Sequence, residues 1–119
     1  MTPIVLDASA LAALFRADPF IWDYWRQADA GTLTLIMPAA AIADAEQDLQ
    51  AGPDAWSGIL WAPGAEVAAL TETVALHSGS WRGSIATRQV IYEAREFRSP
   101  VLTRTPEHYS PGRVPLLVF

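Results

Sequence analysis

The chain has no cysteine and no lysine among its 119 residues. Without cysteine, disulfides and thiolate metal sites are excluded, and an undisguised cytosolic protein is the default expectation. The start carries neither the basic n-region nor the apolar h-region of a secretory signal, because Met1-Thr2-Pro3 leads straight into an apolar run. No apolar stretch reaches the roughly 18 residues of a membrane span. A Gly-x-x-x-x-Gly-Lys loop, a Gly-x-Gly-x-x-Gly fingerprint and a His-x-x-x-His pair are all missing, so the common nucleotide loops and helical zinc sites have no support. No Gly-x-Ser-x-Gly elbow supports a hydrolase triad from Ser9, Ser84 and His77.

What is present is a globular composition, 51% hydrophobic and 18% charged, in a length that suits one domain, residues 1–119. The net charge of −5 argues against broad nonspecific nucleic-acid binding. All eight basic residues are arginine, and six of them follow Trp81: Arg82, Arg88, Arg95, Arg98, Arg104 and Arg113. Either the genome is rich in GC, which favours arginine codons, or the last third carries a basic face for RNA phosphate or an acidic partner.

The stretch Pro3-Ile4-Val5-Leu6-Asp7-Ala8-Ser9, continuing to Phe15, reads as a buried strand, an aspartate at its carboxyl end, and a helix capped near Ser9. Ligands of open α/β sheets bind beyond the carboxyl ends of the strands, so Asp7 is either a site residue or only a helix cap. Asp18-Pro19 then breaks the chain ahead of a helix carrying Phe20, Ile21, Tyr24, Trp25 and Ala28, which ends at Gly31. Residues 32–37 read as a short strand or extended lead-in, and Pro38 opens an alanine-rich helix through Ile42, Ala45 and Leu49. A turn-rich stretch, 52–58, precedes an expected strand at Ile59-Leu60-Trp61-Ala62, with a helix through Val67, Leu70, Val74 and His77 after it. A helix over Ile85–Phe97, a strand over Pro100–Thr103, turns at Pro106, Pro111 and Gly112, and a strand over Val114–Phe119 complete the pattern. Strands alternating with helices predict a mostly parallel sheet covered on both faces, a three-layer α/β/α sandwich.

Asp44 and Glu46 lie on the helix after Pro38, from which a carboxylate can lean over the sheet edge towards Asp7. Convergent carboxylates hold Mg²⁺ or Mn²⁺, which activate water for phosphodiester cleavage. Here Ile4-Val5-Leu6-Asp7-Ala8-Ser9-Ala10-Leu11 resembles the opening of the PIN-domain ribonucleases, particularly the VapC-type toxins of toxin–antitoxin systems. Pro38 followed by Asp44 is similar to that family's proline and helical acid, and Ser99-Pro100-Val101-Leu102-Thr103 to the strand and threonine that precede a further aspartate. The order of elements agrees over nearly the whole chain. The resemblance implies a PIN-like sandwich with Asp7 and Asp44 as Mg²⁺ or Mn²⁺ ligands and Ser9 and Thr103 as polar supports beside them.

Two acids of the pattern are missing. Thr87-Arg88 stands where an Asp-Ala pair opens the penultimate helix, and Thr105 stands where an aspartate follows the strand. No aspartate occurs after Asp54, which leaves Glu46, Glu93 or Glu107 as substitutes. A guanidinium at Arg88 can instead pair with Asp7 or Asp44 and stand in for the metal's charge, or simply face solvent. Two functions follow. One is a degenerate, catalytically weak or inactive PIN-like domain that dimerises or binds a partner. The other is an active Mg²⁺-dependent endoribonuclease toxin with an antitoxin-like partner and RNA bound through the arginine-rich last third.

Five tryptophans are many for this length. Trp22, Tyr24 and Trp25 on one helix suggest a homodimer or partner surface, against ordinary core packing. Trp56, Trp61 and Trp81 read as core or loop anchors, and His77 and His108 as a helix-end and a loop histidine.

Overall fold

The central strand of the sheet is the run that opens the sequence pattern, β1 (Ile4–Leu6). A computed structural model describes residues 3–110 and 112–119, so the Met1-Thr2 lead-in and the turn expected at Pro111 lie outside the described residues. On one side β1 pairs with β2 (Leu35–Pro38), which pairs with β3 (Ala65–Ala68); on the other it pairs with β4 (Val101–Thr103), then β5 (Leu116–Val118). Every pairing is parallel, in the order β3-β2-β1-β4-β5. The inner strands β1, β2 and β4 are buried along their whole length, which is why they read as unbroken apolar runs. The edges β3 and β5 are half-buried to exposed, with no residue fully buried.

Parallel strands need crossovers, and six helices among the described residues supply those from β1 through β4: α1 (Ala8–Phe15), α2 (Pro19–Asp29), α3 (Ala39–Leu49), α4 (Pro53–Leu60), α5 (Glu72–Ser78) and α6 (Ile85–Glu96). The result is an α/β fold with an all-parallel sheet flanked by helices, compatible with the three-layer sandwich expected. None of these helices is long and apolar enough to cross a membrane. Successive strands run outward from β1 to β3, and the chain then returns across β1 to lay down β4. That reversal puts the switch point at the carboxyl end of β1, where Asp7 stands.

Two boundaries differ from the sequence reading. Residues 59–62 are the end of α4 and a turn, not a strand. Pro53 in the first turn and Asp54 near the positive end start a helix there, and a four-residue apolar run cannot distinguish the two states. Trp61, read as an anchor, is 82% exposed. The third strand falls at Ala65–Ala68 instead, so Val67 and Leu70 precede α5, whose cap is Thr71 Oγ1 accepting from the Val74 amide at 3.2 Å. The first helix is capped by Asp7, one of the two readings the sequence leaves for that residue.

Buried Gln89 ties the layers. Its Oε1 accepts from the Ala40 amide at 2.8 Å, at the start of α3 where Pro38 offers no side-chain cap, and its Nε2 donates to the Ala68 carbonyl at 2.9 Å, at the end of β3.

Gly64 sets the approach of β3. Its amide donates to Ala28 and its carbonyl accepts from Leu35, both at 2.8 Å, and a Cβ there would run into the carbonyl oxygens of Leu33 and Ala28. Gly64→Ala should therefore destabilise the fold by about 2–3 kcal/mol. Chemical denaturation checks this, and a loss below about 0.5 kcal/mol would show that the backbone yields freely.

Candidate functional site

The carboxyl end of β1 delivers Asp7 into the corner between α1 and β4. It is only 4% exposed, so its charge has to be met by donors within the protein. Oδ1 accepts from the Ala10 amide at 3.0 Å, as a helix cap, and from Ser9 Oγ at 2.6 Å. Oδ2 accepts from the Tyr109 hydroxyl at 2.8 Å, and Tyr109 is itself buried. Ser9 Oγ also accepts from the Arg104 amide at 2.8 Å, which fastens the end of β4 to the same corner. Thr103 is fully buried, with its Oγ1 accepting from the Thr105 amide at 2.9 Å and lying 3.5 Å from Ser9 Oγ.

Burial, then the neighbouring charge of Asp7 and the hydrogen bond to it, push the Tyr109 phenol far above its ordinary value. The raised phenol keeps its proton, which it donates to Asp7.

A cleft of about 370 Å³ opens over this corner. Asp7, Asp44, Thr87, Thr105 and Tyr109 all line it, so the two acids of the resemblance and the threonines at the positions where that resemblance leads to an expectation of acids come to one place. Asp44 stands exposed on α3, with Asp48 one turn further along the same wall. Arg16, Arg104 and His108 also reach the cleft. The Arg104 guanidinium is already engaged: it pairs with Asp18, the cap of α2, and lies 4.4 Å from the centre of the Phe119 ring. That contact, with the amides of Phe20 and Ile21, holds the Asp18 carboxyl below its ordinary value.

The substitute acids are elsewhere. Glu46 accepts from Trp56 Nε1 at 3.0 Å and from the Ala51 and Gly52 amides at 2.8 Å, so both its oxygens clamp the junction of α3 and α4. Those donors hold its carboxyl below the ordinary value, the Trp56 indole foremost. Glu93 is buried on α6 beside Gln89, and Glu107 is exposed on a single 3-10 turn (Pro106–His108); neither lines the cleft. Arg88 does not reach Asp7 or Asp44. Its guanidinium donates to the Gly79 carbonyl at 3.2 Å, outside the cleft. The helix amphipathicity that places Thr87 inward turns its neighbour outward. Among the described residues, no group of three or more His, Asp or Glu side chains is gathered to hold a metal ion.

Trp22, Tyr24 and Trp25 are half-buried on α2 and pack on the core. The two indoles stack at 4.9 Å, Trp25 Nε1 donates to the Ile59 carbonyl at 3.1 Å, and Tyr24 meets Phe20 edge-on at 5.4 Å. Much of their surface is thus used within the chain.

Tyr109 escaped the sequence reading. It lies between Pro106 and Pro111 in the sequence with no periodic pattern around it, and only the fold brings it 102 positions back to Asp7. A scan of the sequence against models of known families and a search of curated proteins both found no match.

Glu93 supplies a test of how this layer titrates. Burial first, and repulsion from Glu96 in addition, raise its carboxyl above the ordinary glutamate value of 4.5, while Gln89 partly offsets them. A raised folded pKa means that the protonated form favours the fold and that this contribution is lost as pH rises through the folded value. Glu93→Gln should therefore melt higher than the wild type at pH 7, the gap closing as pH falls towards 4.5. Thermal melts across that range check the sign; a gap independent of pH would contradict it.

Proposed function

We propose that the chain is a PIN-like α/β domain whose acidic site has lost catalysis and which works in the cytoplasm as a binding module. The partner is a second copy or a protein of antitoxin type. The observation that carries this reading is the Tyr109 hydroxyl on Asp7 Oδ2. Metal-assisted phosphodiester cleavage needs carboxylate oxygens turned to a hard cation with several oxygen ligands. With three protein donors, Asp7 has most of its roughly four lone-pair sites engaged.

The rest of the donor set points the same way. Thr87 and Thr105 bring hydroxyls, not charge, and the Thr87 Oγ1 already takes a hydrogen bond from Ser84 at 3.2 Å. Asp44 and Asp48 remain, both on α3 and both exposed. These residues do not fit a resident Mg²⁺ or Mn²⁺ centre, because one wall supplies the free carboxylates and the opposite acid is occupied. The shared cleft of Asp7 and Asp44 is what favours the second reading, an active Mg²⁺-dependent endoribonuclease.

Calorimetric titration with Mn²⁺ separates the two. Wild-type protein should give no saturable binding in the millimolar range. Tyr109→Phe should gain weak binding, which Asp7→Asn added to it abolishes. The same Tyr109→Phe substitution should destabilise the fold by about 1.5–3 kcal/mol, the size expected for a hydrogen bond to a buried charge. Saturable wild-type binding together with RNA cleavage, both lost in Asp7→Asn, would overturn the proposal in favour of the nuclease. Failure of Tyr109→Phe to gain metal would move the cause from the phenol to the missing acids.

A further inference from the structure

The outer face of α6 carries a basic and aromatic stripe that the Asp7 cleft does not use. Arg88, Tyr92 and Arg95 follow one another at i, i+4 and i+7, opposite the buried side formed by residues such as Gln89, Val90 and Glu93. Trp81, from the loop before α6, lies beside Tyr92 with ring centres 6.3 Å apart, and His77 of α5 meets the same Tyr92 edge-on at 6.3 Å. A second guanidinium arrives from the loop before β5. Arg95 and Arg113 sit 5.0 and 5.1 Å from the centre of the Trp81 ring.

Holding two cations on one indole has a consequence. Sharing one ring, they are separated by no more than about a Debye length, ~10 Å at 0.1 M salt, and so they repel. Cation–π attraction offsets that repulsion but supplies no acceptor for the N–H groups. Among the described residues the ion pairs are Arg26–Asp23 and Arg104–Asp18, and no hydrogen bond occupies the side chain of Arg95 or Arg113. Glu96, the neighbouring exposed carboxylate, makes no ion pair with either. The stacked guanidiniums are thus oriented, charged and short of an anion.

We propose that Trp81, Tyr92, Arg95 and Arg113 form a surface that binds single-stranded nucleic acid. Phosphodiester oxygens take the N–H edges of the two guanidiniums, and bases stack along the Tyr92 and His77 rings. An acidic peptide would use the cations and leave the aromatic row idle, which is why a strand with alternating phosphate and base fits better. The net charge of −5 confines the attraction to this patch, so binding is weak and strongly dependent on salt. None of these residues lines the Asp7 cleft, and the proposal stands or falls independently of catalysis there.

Fluorescence anisotropy with short end-labelled RNA and DNA single strands, at low and near-physiological salt, tests it. Wild-type protein should bind either strand at low salt. Arg95→Gln with Arg113→Gln should weaken binding by roughly tenfold or more and flatten the log–log salt slope by about 1.4, two phosphate contacts at about 0.7 each. Arg26→Gln on α2 should change neither. If the glutamine pair melts early, Arg95→Lys with Arg113→Lys keeps the charge and should lose affinity through the lost planar stacking. No binding of either strand at low salt, or an unchanged affinity and slope in the folded double variants, would overturn the proposal. Equal competition by a glutamate-rich peptide of the same charge would overturn it too, in favour of an acidic protein partner.

Discussion

A carboxylate buried at the end of the central strand has to be satisfied by donors that the fold itself supplies, and Asp7 draws them from two ends of the chain. The Ala10 amide and the Ser9 hydroxyl come with α1, because a cap geometry places them there. The Tyr109 hydroxyl comes from beyond β4, and its bond to a buried charge is of the stronger kind. A neutral phenol suits this place. It donates one hydrogen bond and adds no second charge to desolvate, whereas a guanidinium would have to be buried along with its partner.

From that corner the constraint spreads through residues 103–109. Ser9 donates to Asp7 and accepts from the Arg104 amide, so the hydroxyl that helps satisfy the charge also fixes the exit of β4. Arg104 carries the connection outward, to Asp18 at the start of α2 and to the ring of Phe119. Phe119 in turn stacks on Phe20 at 5.6 Å. A perturbation at Asp7 therefore reaches the first helical corner and the final strand through direct contacts. The cleft residues here have structural duties, and a cation would compete with them.

What was legible beforehand follows from how local each signal is. Ile4-Val5-Leu6-Asp7 announces a buried strand with an acid at its end because strand burial and capping are written in consecutive residues. The inner strands and α6 were readable for the same reason. Residues 59–62 misled because their apolar character serves α4 and its junction with β3, a distinction made by Pro53, Gly64 and the pinning of Trp56 by Glu46. Gln89 looks like any polar helix position until its amide is found between Ala40 and Ala68. Arg88, beside Thr87, offers its guanidinium either to the cleft or to solvent, and one helical step turns it towards Gly79. Tyr109 depends on a loop closing over more than a hundred positions, and no pattern of neighbours encodes that.

The acids that the resemblance leads to an expectation of, and the tyrosine found on Asp7, bear on one electrostatic condition. Several carboxylates around a cleft repel one another and are neutralised by a cation, so each acid needs an oxygen left open. With threonines at 87 and 105, the cleft's carboxylates are Asp7 and, exposed on α3, Asp44 and Asp48, so that repulsion and the attraction for a cation are both weaker. Asp7 is then a single buried charge whose need is for a donor, and the Tyr109 phenol meets it at 2.8 Å. A site built this way is internally consistent as a structural corner. To work as a metal centre, it would have to give up a hydrogen bond to a buried charge and recover the difference from α3 alone.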